Sequence, residues 1–255
     1  MKHTSRLMRT VVVTLLLLST STTVVFAGPR ADFNNQRVQA RQDALKQQAV
    51  DRLHRLGDKL IDRRVEVLNR AISRVNGSNR VSESERAAIV ADLNGNVADL
   101  TSLKAAIDAK TELETLRARV KSIFTDYRIF AVVLPRDRGE LVVGRANAIL
   151  RHLDALSEKI PRWINAAKAR GKDVSSAEAA YKDFQARLAD AKTQTAAAMG
   201  HFQAMKPAAD TSEARNYLDQ GKGAMRAARD DLRIAAADLR KIVVAFKGLR
   251  LGTAK

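Results

Sequence analysis

The chain has 255 residues, with 45 Lys and Arg against 28 Asp and Glu, a net charge of +17, and no cysteine. Without cysteine there are no disulfides, no thiol catalysis, no iron–sulfur clusters and no cysteine zinc sites. Aromatic residues make up only 4% while small and branched aliphatics abound, a balance that suits helix–helix packing better than a sheet sandwich.

Residues 1–27 read as a secretory signal peptide. Lys2, Arg6 and Arg9 form a positive head. Val11 to Leu18 is apolar but for Thr14, and Val24, Val25 and Phe26 extend the run. Val25 and Ala27 place small or modest side chains where a signal peptidase reads. Cleavage after Ala27 is expected, giving a secreted or extracytoplasmic protein of the cell envelope; uncleaved, the leader would be an N-terminal membrane anchor. The leader holds three of the 45 basic residues and none of the 28 acidic ones, so the mature chain keeps 42 against 28, a net +14. A field of that sign attracts anionic partners. No second apolar stretch approaches the ~20 residues needed to cross a bilayer.

Five helices are predicted over residues 28–255, at about 33–75, 83–131, 137–169, 176–205 and 211–247. The first carries Leu53, Leu56, Leu60, Ile61, Val65, Leu68, Ile72 and Val75 in steps of three and four, one apolar face. Gly77 suits a left-handed cap after it. Ser82 and Glu85 form a capping box for the second. Its stripe runs Ile89, Leu93, Val97, Leu100, Leu103 and Ile107, slips in phase near Lys110–Thr111, and resumes at Leu113. It fades before Pro135, since the residue before a proline disfavours helix.

The third helix is expected to kink at Pro161, which would remove a hydrogen bond to Ser157, and to stop at Gly171. Ser175–Glu178 and Asp210–Glu213 read as two further caps. The fourth and fifth helices alternate steps of four and three without error, from Ala177 to Met205 and from Ala214 to Phe246. Such heptads make a supercoiled seam. Short connections favour antiparallel neighbours. The expected fold is all-α: an elongated antiparallel helical bundle with long coiled-coil-like helices. Its seams can close within one chain or between copies of a homo-oligomer.

Chemistry is sparse in this pattern. His54, His152 and His201 show no metal-ligand spacing, and Asp230-Asp231 and Glu112 with Glu114 sit among basic residues as ion pairs. No nucleophile elbow, phosphate-cradling glycine loop or calcium loop occurs. No catalytic residue, metal or cofactor is predicted.

The densest aromatic and β-branched run is Lys121 to Pro135, with Tyr127, Arg128 and Phe130 at its centre. It reads as a packing junction, or else as a partner-binding or membrane-touching surface. Tyr127-Arg128-Ile129-Phe130 running into Pro135, in a signal-bearing helical chain, resembles uncharacterised secreted helical proteins of bacteria. That likeness implies no reaction and no catalytic residue. The basic exported coiled coil is also similar in architecture to periplasmic holdase chaperones of the Skp type, which are shorter and trimeric.

Basic residues gather at Arg136, Arg138 and Arg145, at Lys168, Arg170 and Lys172, and at Arg240, Lys241, Lys247 and Arg250. The first and last groups are the candidate anion-binding residues; the alternative is a solvated face. The expected function is a non-enzymatic scaffold or adaptor in the cell envelope, binding an anionic polymer, a membrane surface or an envelope protein. Two alternatives stand beside it. One is a holdase chaperone. The other is extracellular nucleic-acid binding, nonspecific and driven by phosphate attraction, since no stacking aromatics or reader fold accompany the charge.

Overall fold

The computed structural model describes residues 29–207 and 210–251, with side chains from 34 to 207 and from 210 to 247. The leader and the expected cut after Ala27 lie outside the described residues. Contacts divide the chain into two compact units, residues 1–45 and 46–255. In the first, Asn34–Leu45 is helical and exposed throughout. The second holds the whole described core.

The chain is all-helical, with long helices packed antiparallel, and no strand occurs among the described residues. The elements are α1 (Pro29–Asn76), α2 (Glu83–Asp108), α3 (Leu113–Thr125), a π-helical turn (Ile129–Val133), α4 (Leu134–Ser157), α5 (Ile160–Lys168), α6 (Ser175–Ala204) and α7 (Thr211–Leu251).

Three apolar clusters build the second unit. Ile61 and Leu68 of α1, Leu93, Leu100 and Ile107 of α2, Leu116 and Ile123 of α3 and Ile129 of the π turn form the first. Leu150, Ile160, Ile164, Phe184, Leu188 and Ile242 join α4, α5, α6 and α7 in the second. Val132, Val143, Ala198, Phe202, Met205 and Ala214 form the third. α4 contributes to all three, so it ties the N-terminal helices to the α6–α7 pair.

The predicted stripes are largely the buried ones, with a shift in α1. Leu56 faces out, and Gly57 takes the buried place, where an added Cβ would lie 3.2 Å from Ile107. On α7 the heptad divides by size. Ala214, Gly221, Ala228, Ala235 and Ile242, seven apart, are buried. The larger Leu218, Met225, Leu232, Leu239 and Phe246 are only half-buried. Small residues let α6 approach closely on one row and leave the other row partly uncovered.

Several boundaries differ from the sequence expectation, for local reasons. The predicted second helix is two, α2 and α3, broken at the phase slip. Glu112 caps α3 by accepting from the backbone N–H of Glu114 at 2.9 Å and of Thr115 at 2.6 Å. His54 Nε2 donates to the Lys110 carbonyl at 2.8 Å and holds the turn against α1.

Both prolines expected to end or kink a helix instead sit in first turns, Pro135 in α4 and Pro161 in α5. A missing N–H is harmless there. α4 therefore begins at Leu134 rather than 137 and ends at Ser157 before the Pro161 segment starts. α1 begins at Pro29 rather than 33.

Ser82 and Glu85 do form a capping box. Ser175–Glu178 does not: no side chain caps α6 through its Val174 cap position, and Asp173 Oδ1 accepts from the Ser175 N–H at 3.0 Å. Asp210 plays the same part for α7, accepting from the Ser212 N–H and hydroxyl. Gly77 is not left-handed. Among the described glycines, Gly171 is, with φ of +70°. Its N–H reaches the Lys168 carbonyl while that of Lys172 reaches Ala167, the paired bonds of a Schellman close.

The ring of Phe202, 2% exposed, lies against two glycines. A Cβ would stand 2.6 Å from it at Gly139 of α4 and 2.5 Å at Gly221 of α7. Gly221→Ala is therefore expected to lower stability by about 1–3 kcal/mol through overpacking, although alanine gains ~1 kcal/mol of helix propensity. Gly95→Ala, with nothing within 4 Å, is the control and should raise the melting temperature. Equal rises for both in thermal melts would contradict this packing.

Candidate anion-binding surfaces

The basic groups distinguished in the sequence do not form one patch. Arg136 is 6% exposed. Its guanidinium pairs with Asp92 of α2, donates from Nε to Asp137 Oδ1 at 3.3 Å and reaches the Met205 carbonyl at 3.4 Å. It is an internal ion-pair residue, not a surface anion binder. Burial pushes the Asp137 carboxyl up to about 7 against the pull of Arg136, and Asp92 and Glu140 add to the rise. Burial likewise raises Glu140.

Arg145 belongs to a different place. The turn after α1 lays Asn79, Arg80, Val81 and Ser82 against α4, where Arg145, Ala148, Ile149, Arg151 and His152 complete an open pocket of about 620 Å³. The packing is specific. Val81 is buried on Gly144, where an added Cβ would come 2.8 Å from Val81 Cγ1. Arg145, Ile149 and His152 follow steps of four and three, one face of α4.

The Glu85 carboxylate beside Ser82 is already engaged. Glu85 accepts from the Ser82 N–H at 3.1 Å and from Asn147 at 2.7 Å, with Arg151 at 3.8 Å. Burial would raise its carboxyl, but the bonds from Ser82 and Asn147 and the charge of Arg151 hold it below the usual range. No described carboxylate lies within ion-pair distance of Arg80 or Arg145. Three arginines and a histidine thus meet with little compensating charge. Arg80 and Arg151 were not singled out by the sequence, and His152 only as a histidine without metal-ligand spacing. Their signal would have been Gly144, whose missing side chain makes room for Val81.

In the C-terminal part of α7, Arg240 and Lys247 are exposed. Lys241 is held by Asp238 at 2.7 Å, a bond that raises its pKa. The Arg250 side chain lies outside the described residues. Trp163 of α5 meets Phe246 edge-on at 6.4 Å, so α5 lies beside this segment. Trp163 is 48% exposed and Val244 67%.

The Lys121–Pro135 stretch divides its side chains. Ile129, Val132 and Val133 are fully buried beneath the π turn. Phe124 and Phe130 face out, 53% and 45% exposed, with the buried Arg64 guanidinium 5.0 and 5.4 Å from their ring centres. These are cation–π distances. Tyr127 is half-buried against the first cluster, and burial raises its phenol. Arg128 is half-buried, with Nη1 enclosed and without a hydrogen-bond partner. Pro135 instead lines a groove with Arg138, between α4 and α7.

No family model, curated protein or solved structure matches this chain. What it binds has to be read from the chemistry of its own side chains. Among the described residues no group of three or more His, Asp or Glu is placed to hold a metal ion, and no helix is long and apolar enough to cross a membrane. His201 lies beside Tyr217, 6.5 Å between ring centres, and does not approach the pocket of His152.

Proposed function

We infer that this protein is an exported, non-enzymatic helical scaffold or adaptor that binds anionic components of the cell envelope. The observation that supports this reading is the convergence of Arg80, Arg145, Arg151 and His152 on one open pocket. Guanidinium groups match phosphate and carboxylate oxygens bidentately. An open pocket on a rigid helix admits one repeat of a polymer, or one lipid headgroup, without enclosing it. The remaining positive surface steers such partners in at long range.

The test is co-sedimentation of the full chain with phosphatidylglycerol vesicles, and retention on polyphosphate, at rising salt. Arg80→Gln with Arg145→Gln is expected to weaken both by about tenfold, and raising salt from ~50 to ~200 mM should weaken the parent protein steeply. Binding that ignores both the double substitution and the salt would overturn the reading. DNA retained in preference to both anions would favour nucleic-acid binding instead.

A further inference from the structure

A second concave surface lies between α4 and α7, away from the arginine pocket, with a volume of about 710 Å³. That size falls within the ~300–1,000 Å³ of small-molecule sites. Its floor is apolar: Pro135 and Val142 of α4, the Phe202 ring of α6, and Leu218 and Met225 of α7. Gly139 and Gly221 make room for the Phe202 ring, which packs against both, and Gly139 lines the groove beside it. Leu218 and Met225 belong to the larger heptad row that α6 leaves half-covered.

The rim is basic. Arg138, Lys222, Arg226 and Arg229 surround the floor, with Asp219 the one acid lining it. Asp219 lies 3.7 Å from Lys222. No described carboxylate lies within ion-pair distance of Arg138, Arg226 or Arg229. From Leu218 to Arg229 the α7 wall runs about 16 Å at ~1.5 Å per residue, room for one extended alkyl chain.

We propose that this groove binds a single-chain anionic amphiphile of the fatty-acid class, its alkyl chain on the Val142–Phe202–Met225 floor and its carboxylate held by the rim arginines. Apolar length and uncompensated positive charge occur in one groove, and that ligand supplies both complements. A second copy of this chain would bring a rim of the same sign against the first, which opposes docking. Burial of the chain removes apolar surface from water at ~25 cal/mol per Å², and a charge-assisted pair fixes its polarity.

The test is calorimetric titration of the full chain with dodecanoate below its micelle concentration, alongside dodecanol and acetate. Dodecanoate should saturate one site, dodecanol should bind about tenfold more weakly, and acetate should not bind. Arg226→Gln with Arg229→Gln should weaken dodecanoate about tenfold and leave dodecanol unchanged. Val142→Trp, at an exposed position, should fill the groove and abolish both, with the melting temperature held. The Arg80→Gln, Arg145→Gln variant should bind dodecanoate like the parent, which separates this site from the arginine pocket. Three results would overturn the proposal: no saturable dodecanoate binding, binding indifferent to both groove variants, or a groove that suppresses aggregation of an unfolded polypeptide while ignoring dodecanoate.

Discussion

Replacing Arg136 with methionine is expected to destabilise the bundle by about 3–5 kcal/mol above neutral pH, the usual cost of breaking a buried pair from one side. The methionine would fill the aliphatic path of the arginine but supply no donor. Asp137, buried beside it, would lose its only cationic neighbour at hydrogen-bond distance among the described residues. The Met205 carbonyl would lose a donor from α4, and Asp92 would lose its bridge from α2. One guanidinium thus links α2, α4 and the end of α6, and its removal is felt by all three. The loss should shrink below pH ~7, where Asp137 holds a proton and no bare charge remains. Chemical denaturation at acid and mildly alkaline pH measures it. An equal and small loss at both would show that Arg136 contributes only packing.

Arg136 also shows why the candidate sites were less legible than the fold. Its neighbours Arg138 and Arg145 are exposed, and nothing in a run of basic residues says which one turns inward. The partner that decides it, Asp92, is 44 residues away on another helix. Helix type is different, because stripes such as Leu93, Leu100 and Ile107 recur at a spacing that local sequence carries in full. The prolines depend on context in the same way. Pro135 and Pro161 break a helix that has already begun but suit the start of a new one, and which applies depends on where the preceding helix stops. The α2–α3 break was visible as a phase slip, yet its cause, a carboxylate cap at Glu112 and a bond from His54, needed the packed turn.

The split heptad of α7 belongs with these. A regular alternation from Ala214 to Phe246 reads as a closed seam. Only the small row is closed, because α6 covers Ala214, Gly221, Ala228 and Ala235 and the larger row stands partly free. Size within the heptad, not its period, decides which residues remain available to a ligand. Arg138 and Arg226 acquire their meaning from that row, as Arg145 does from the docked turn at Gly144.

Asp137 gives the larger pH effect. Its folded pKa, about 7, lies above the ordinary 3.8 because burial disfavours the anion. Between those values the folded state holds a proton that the unfolded chain has released. Stability is therefore fully present below pH ~4, falls by ~1.4 kcal/mol per unit as pH rises toward 7, and levels off above it. Glu140, raised by burial, acts with the same sign. Glu85, held low, acts with the opposite sign and loses its contribution as pH falls. Asp137→Asn removes the titration while keeping an oxygen for Arg136 Nε. Its stability relative to the parent should be near zero at pH ~4 and rise to as much as ~4 kcal/mol at pH 8. Subtracting the two urea-denaturation profiles cancels the distant carboxylates and leaves Asp137 with its coupling to Asp92 and Glu140. Parallel profiles would mean that Arg136 compensates the buried anion completely, and that the α2–α4–α6 junction holds a full ion pair at every pH.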